Sequence, residues 1–375
     1  MPNIYLDFNA STPLMPEVAS AMRPFLTAEY GNPSSSHWAG VPAKQALDAA
    51  RHDVASLVGA LAEEIVFTSG GSEANNASLK GIFFRNRVRT PSPHVVTTII
   101  EHPAILGPCR FLEALGARVT RLPVDSSGQI HPGQIRDAIT SDTVLVSVMH
   151  ANNEVGTVQP IAEIGAITKA MGVPFHTDAA QSVGKIPVQV DQLGVDLLSI
   201  AGHKLYAPKG IGALYVRSGL LLEPVIHGAE HERGRRAGTE STMLAVGLGA
   251  ACRLATEQPC EGYLKLLTTY FWNKLREAFG DRVVLNGHTD CRLPNTLNVS
   301  FPGLVGQRIL DALDGIAAST GSACHSGTSG ASPVLDAMNC SDAVGLGAIR
   351  FSVGRPTTKS ELDITVDLLT KVVSG

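Results

Sequence analysis

The sequence predicts an α/β protein: a mostly parallel sheet with helices on both faces, followed by a smaller α+β unit. Three observations carry this. Strands and helices alternate over roughly 150 residues from Glu64. The polar residues that interrupt the apolar runs fall at strand ends, where ligands of such sheets gather. After Val216 the alternation gives way to a charged loop, two long helices and shorter strands. The chain's 375 residues suffice for two domains with cores of their own.

In order, Ile4–Leu6 reads as a short strand running into Asp7-Phe8-Asn9-Ala10-Ser11-Thr12-Pro13, a turn rich in side-chain acceptors. A helix is expected from Pro16 to Ala28. The segment 31–37, GNPSSSH, reads equally as an ordinary loop or a pocket mouth. Ala39–Leu57 is helical, and Glu64–Thr68 is a strand leading into Ser69-Gly70-Gly71-Ser72, after which helix resumes to Asn86. A strand, a glycine pair and a serine-started helix present backbone N–H groups and a hydroxyl to an anion, and plain capping by Ser72 does not exclude this. No nucleotide loop competes: the Gly184-Lys185 pair has Ala179 where a phosphate loop needs its first glycine, and no GxGxxG follows a strand. The anion is thus better read as a cofactor phosphate than a nucleotide tail.

Strands follow at His94–Ile100, Val119–Val124 and Thr143–Val148, with helices at Ala104–Leu115, Gln134–Ile139 and Ile161–Met171. His102, Asn153, Asp178 and Lys204 all fall just beyond predicted strands, which points to a single site. Further on, 227–238 is a charged loop; its His227 and His231 lie on no helix and belong to no HExxH motif, so a metal site is not expected. Helices at Thr239–Glu257, Tyr263–Ala278, Val305–Leu313, Ser332–Met338 and Ser360–Val373 interleave with strands at Val283–Leu285, Thr296–Phe301, Ile316–Ala318 and Ile349–Val353.

The strongest chemical signal lies in 199–212, SIAGHKLYAPKGIG, where the apolar runs Val195–Ile200 and Ile211–Val216 hold Lys204 on a turn. Alone, such a lysine reads as a surface residue. A buried setting that removes its proton makes it a nucleophile able to form a Schiff base. Upstream, 175–181 (FHTDAAQ) ends a strand on Asp178. A lysine for an aldehyde plus a carboxylate for a pyridinium nitrogen is what a pyridoxal phosphate (PLP) enzyme requires. A second signal is Cys324, central in 319–332 (STGSACHSGTSGAS), a composition expected to leave the backbone mobile. A thiol there suits a nucleophile that carries something away, and from the loop alone an incidental surface cysteine reads equally well.

Composition removes other classes. With 44% hydrophobic, 17% charged and 5% aromatic residues and a net charge of −4, the chain shows no basic face for nucleic acid or anionic lipid. No apolar run reaches membrane-spanning length and Met1–Asn9 lacks a signal-peptide pattern, so a soluble cytoplasmic protein is expected. The six cysteines (Cys109, Cys252, Cys260, Cys291, Cys324, Cys340) form no CxxC pair, which argues against a disulfide framework or a cysteine zinc site.

With these residues in view, the chain resembles the NifS/IscS-type cysteine desulfurases, PLP enzymes of the class V aminotransferase group. The likeness runs end to end through YLDFNASTP, GNPSSSHWAG, TSGGSEANN, EHPAIL, HANNEVG, HTDAAQSVGK, AGHKLYAPKGIGALYV, ERGRRAGTE, LPNTLNVSF, GSACHSG and IRFSVGRPTT. It implies the fold type I PLP-dependent transferase architecture, with a seven-stranded sheet in a large domain over 16–249. Residues 1–15 and 250–375 would form the small domain carrying the cysteine loop. It also implies roles. Lys204 would hold the cofactor aldehyde, Asp178 the ring nitrogen, and Gln181 and Asn153 would sit by the ring's phenolic oxygen. His102 would stack on the ring and move protons. Gly71, Ser72 and His203 would hold the phosphate, with Thr239 from the partner of a homodimer. Arg350 would clamp the substrate carboxylate, a match for a guanidinium fork, with Asn32 and His37 near the substrate. Cys324 would accept sulfur from L-cysteine, leaving L-alanine, and pass it to an acceptor protein in iron–sulfur assembly or tRNA thiolation.

The chain departs from the family's pattern in places. Ala201 stands where a serine often binds phosphate, and Ala207 where a glycine is usual. The chain stops at Gly375, whereas relatives that dock an iron–sulfur scaffold use a longer tail. Two other readings compete. GSACHSG and the following SPVL also resemble selenocysteine lyases, but those tend to carry an acidic residue where Pro103 follows His102. A non-catalytic PLP-fold partner protein is disfavoured because every catalytic position is filled.

Overall fold

The computed structural model describes residues 3–320 and 332–374; Cys324, with residues 321–331 of its loop, lies outside them. The strands are β1 Ile4–Tyr5, β2 Ile65–Thr68, β3 His94–Thr98, β4 Arg118–Leu122, β5 Thr143–Ser147, β6 Phe175–Asp178, β7 Leu197–Ala201, β8 Gly212–Val216, β9 Val284–Asn286, β10 Thr296–Ser300, β11 Ile316–Ala317 and β12 Ala348–Ser352. A seven-stranded sheet runs β2-β8-β7-β6-β5-β3-β4. Only β8 opposes the rest, pairing antiparallel with β2 and β7. The pairings from β7 through β6, β5 and β3 to β4 are parallel. The fold is therefore α/β with a mostly parallel sheet.

Alternate side chains of each strand enter opposite cores, as a pleat requires. Ile65, Phe67, Val96, Val146, Leu198 and Ile200 join one cluster with the helices Gly40–Val58 and Thr242–Glu257. Val66, Val95, Leu145, Leu197 and Leu214 join the other with Gly71–Asn86 and Pro103–Ala114. These two flanking clusters make up the first core; a second core gathers Ile4, Leu6, Phe271, Leu275, Val299, Phe301, Phe351 and Leu362 around the antiparallel sheet β12-β10-β9. We propose that the expected two-unit division holds, with one adjustment: Ala250, Ala251, Cys252 and Ala255 pack in the first core, so the helix ending at Glu257 stays whole with the large unit.

Two local expectations differ from the structure. The helix expected over Pro16–Ala28 is two, Pro16–Met22 and Pro24–Thr27; Pro24 has no N–H for the ladder, so the first helix ends before it. The charged loop 227–238 is not simply solvated. It contains a short 3-10 turn, His231–Gly234, in which Glu232 and Arg233 adopt positive φ and Glu232 is buried. That carboxylate takes both guanidinium nitrogens of Arg51 at 2.6 and 2.7 Å and the Phe67 N–H at 2.9 Å.

Candidate active site

The parallel topology puts the carboxyl ends of β3, β5, β6 and β7, together with that of β2, along one edge of the sheet. Just beyond those ends come Gly70-Gly71 after β2, His102 after β3, Asn153 after β5, Asp178 closing β6, and His203-Lys204 after β7. The edge is where the first and second cores meet.

Lys204 closes a 3-10 turn, Gly202–Lys204, that follows β7 directly. The turn is held by the Gly202 N–H on Ile211 O (3.0 Å) and the Leu205 N–H on Gly202 O (2.8 Å). A side chain at Gly202 would put its Cβ 2.8 Å from the Ile211 carbonyl oxygen, so only glycine fits there. The ammonium is half-buried, donating to the Asn9 carbonyl at 2.5 Å and that of Ala10 at 2.8 Å.

Asp178, on the neighbouring strand, is buried and accepts from Asn75 Nδ2 at 2.6 Å and the Ala180 N–H at 2.9 Å. His102 caps the helix Pro103–Ala114; its Nδ1 accepts the Ala104 N–H at 3.1 Å, so the neutral ring carries its proton on Nε2. Burial lowers its pKa; Asp178 opposes that and Lys204 adds to it. His203 is driven down to about 4 by burial and by Lys204, Lys209 and His102, leaving a neutral donor at physiological pH. Glu101, fully enclosed, is pushed up to about 8 by burial, with Asp178 adding to the rise.

The phosphate end of the expected site is the start of the helix Gly71–Asn86, whose first N–H groups have no partner within the helix. Gly71 lies against β7: a Cβ on it would stand 3.2 Å from the Ala201 Cβ. His203 follows two residues later, so the features expected to bind an anion after β2 and β7 lie together. Glu73 is drawn aside by Arg236 (2.9 Å) and the Ser69 N–H (2.8 Å), which keeps its charge off an incoming anion.

Arg350 comes from β12 in the second core and is buried. One nitrogen donates to the Asn153 carbonyl at 3.0 Å, the other to Asp7 Oδ1 at 2.7 Å, and Nε has no partner among the described residues. Gln181 donates from Nε2 to the Asn9 carbonyl at 3.0 Å and accepts from Lys185 Nζ at 2.9 Å. Asn153 engages through its backbone carbonyl, which also accepts from Asn9 Nδ2. The remaining expected residues lie on exposed loops. Asn32 uses its oxygen on the Ser34 N–H, His37 is exposed, and Thr239 is exposed beside Ser69 and Ile211 of its own chain.

Sequence reasoning missed Asn9, Asn75, Glu101 and Lys185. Asn9 is the hub. Beyond the contacts above, its N–H reaches Ser352 Oγ, its Oδ1 accepts from Lys185 and Asn295, and its Nδ2 also reaches Thr296 Oγ1. The only signal in the sequence was the acceptor-rich turn around it.

Comparison with known proteins identifies the family. The family model described as aminotransferase class-V matches residues 4–365. The chain is 46% identical over 374 residues to a cysteine desulfurase IscS of Dictyoglomus turgidum, covering 99% of this chain and 94% of that protein. It is 44% identical over 378 residues to the cysteine desulfurase IscS of Methanosarcina thermophila, covering 99% and 92%. Among solved structures, a NifS-like protein superposes with a TM-score of 0.92 at 35% identity, covering 99% of both chains. A structure of SspA in complex with cysteine gives 0.83 at 38% identity, covering 93% of this chain and 98% of that one. A lysine and an aspartate on adjacent strand ends, with an anion cradle beside them, are thus found in a chain that belongs to the PLP-dependent cysteine desulfurases of the class V aminotransferase family.

Proposed function

We propose that this chain takes sulfur from L-cysteine, leaving L-alanine, and holds it as a persulfide on Cys324 for transfer to an acceptor. The observation that carries the reading is Lys204 and Asp178 on neighbouring strand ends, with Arg350 reaching the same edge from the second core.

The residues fit PLP. Asp178 is a buried carboxylate braced by Asn75, as a ring-nitrogen partner must be. The helix start at Gly71, tight against Ala201, is a cradle for a phosphate. Asn75 Oδ1 and Glu101 Oε2, buried and without a hydrogen-bond partner among the described residues, belong to residues that bond or adjoin site groups. When bound, PLP supplies a carbonyl for the substrate amine and a protonated ring that draws electron density from the substrate Cα.

The chain's own groups do the rest. Asp178 keeps the ring nitrogen protonated. Gly71, Ser72 and neutral His203 bind the phosphate, Thr239 of a second copy completing the set. Arg350 fixes the substrate carboxylate through its planar fork. Lys204 Nζ would hold the cofactor carbonyl and, when free, would take the Cα proton, with His102 Nε2 carrying protons at the same face. Gln181 and Asn153 attend the phenolic oxygen, and Asn32 and His37 complete the pocket. The Cys324 thiolate then attacks the substrate Sγ. The S–S bond forms as Sγ–Cβ breaks, the electron pair goes to Cβ, which takes a proton, and return of the proton held by Lys204 Nζ to Cα completes alanine.

A homodimer in the cytoplasm belongs to the same proposal. Exposed Leu26, Tyr30 and Trp38 cluster within a short stretch of sequence, as an interface would need. The described cysteines are free, as a reducing compartment keeps them. An iron–sulfur or tRNA-thiolation protein is the proposed sulfur acceptor.

The test is alanine production from L-cysteine and L-selenocysteine by wild type and Cys324→Ala. Cysteine turnover that falls at least about 100-fold in the variant supports the persulfide step. Processing of selenocysteine alone, unaffected by the substitution, would replace this reading with a selenocysteine lyase.

A further inference from the structure

Lys185 is a second lysine at the site, and the chemistry just described gives it no task. It is buried in the turn after β6, and its Nζ makes two bonds, to Gln181 Oε1 at 2.9 Å and Asn9 Oδ1 at 3.0 Å. Both partners are neutral amide oxygens. The groups that face it are Lys204 from the turn after β7, Arg350 from β12 and Cys260 at the start of the helix Glu261–Phe279. Burial pushes Lys185 down to about 7, and the two cations push the same way. An enclosed ammonium among cations is costly to keep, so a structural filler would more cheaply be apolar.

An ammonium has donors only, and a neutral lysine amine has two N–H groups for its two contacts here, whereas an amide has a donor end and an acceptor end. Whatever amide end faces Lys185 must therefore be oxygen. For Gln181 this leaves Nε2 facing the other way. One of its hydrogens is spent on the Asn9 carbonyl, which also receives Lys204, and the second is left for a ligand. With Asn9 Oδ1 likewise pinned, Asn9 Nδ2 is committed to Asn153 O and Thr296 Oγ1.

We propose that Lys185 is a positioning residue: by claiming the side-chain oxygens of Gln181 and Asn9, it leaves Gln181 only a hydrogen-bond donor to offer the ring's phenolic oxygen. This rests on the PLP reading above and deepens it. A donor there stabilises the phenolate, and so the ring form that accepts the substrate amine.

The test is a spectrophotometric pH titration of PLP-loaded wild type, Lys185→Met, Lys185→Arg, Gln181→Leu and the double variant Lys185→Met/Gln181→Leu, with bound cofactor measured after desalting. Lys185→Met frees the Gln181 amide to turn and removes a cation near Lys204. Both raise the pH at which the cofactor's visible band loses its proton, by about one unit. Lys185→Arg, which keeps a donor-only cation, should stay near wild type. The double variant should shift by less than the sum of the two single shifts, because Lys185 acts through Gln181. An unchanged midpoint in Lys185→Met at full cofactor content, or fully additive shifts, would overturn the inference. Should Lys185→Met not hold cofactor, Lys185→Gln, which refills the space without charge, must show the same upward shift. A wild type that binds no PLP would sink the functional reading itself, and is told apart from these outcomes by its missing visible band.

Discussion

Glu154 offers a measurable consequence of how this site is buried. It follows Asn153, accepts the Ser332 hydroxyl, and has its carboxyl raised to about 7 by burial, against the opposing pull of Ser332 and Arg350. An acid whose folded pKa exceeds its unfolded value contributes stability that is complete below the unfolded pKa and is lost as pH rises through the folded one. With the unfolded value at 4.5, the window runs from there to about 7. A rise of that size corresponds to about 3 kcal/mol lost by pH 8. Glu154→Gln keeps the shape and an oxygen for Ser332 but cannot ionise, so it escapes this loss. Unfolding entropy of about 0.8 kcal/mol/K for a chain of this length turns the difference into about 4 °C. The assay is the melting temperature of both proteins at pH 5 and pH 8. Glu101, His150, His176 and Lys185 also titrate abnormally, but they are common to both chains and cancel in the difference. Because part of the loss has already occurred by pH 5, the variant's advantage should grow by about 3 °C between the two pH values. An advantage that stays level, or shrinks, would mean that Glu154 is an ionised partner of Arg350, and the burial argument would fail.

Two further expectations concern the chemistry. Arg350→Lys keeps a charge but not the planar fork, so KM for L-cysteine should rise about 100-fold while kcat changes less than about threefold; initial rates over a wide cysteine range decide it, and a collapse of kcat at constant KM would move Arg350 out of substrate binding. Asn75→Leu removes the 2.6 Å brace on Asp178 and should cut kcat about tenfold with PLP still bound; unchanged kcat would show that the Ala180 N–H alone holds the carboxylate.

Much of this architecture was legible in the sequence because its signals are local. β2, β3, β5, β6 and β7 are apolar runs closed by polar residues, and the closing residues mark the sheet edge. His102, Asp178 and Lys204 could be found that way. What escaped depends on contacts between distant parts of the chain. Asn9 and Lys204 are 195 residues apart, Asn9 and Lys185 176 apart, and Asn75 and Asp178 103 apart. β1 is only two residues long and pairs with β11 from the far end of the chain, so no periodicity announces it. Glu232 was hidden for the opposite reason: in a run of charged residues nothing distinguishes the one carboxylate that turns inward to Arg51.

The N-terminal segment explains why Lys204 and Arg350 hold a fixed relation although different cores carry them. Ile4 and Leu6 are packed in the second core. Asp7 takes Arg350, and Asn9 and Ala10 take Lys204. Thr12 then bonds the His203 carbonyl through both its N–H (2.9 Å) and its hydroxyl (3.0 Å). Within a few residues the chain thus passes from one core to the other while supplying acceptors to both cations. A substrate carboxylate reaching Arg350 competes with Asp7, whose place in the chain is two residues from the carbonyl that receives Lys204. On the proposed roles, binding at one end of the site is therefore mechanically joined to the Lys204 nitrogen at the other. Displacement of Asp7 must be absorbed by Asn9, whose polar groups are committed on both sides. An asparagine so fully bonded resists displacement as a unit, and that resistance keeps the clamp and the lysine in register.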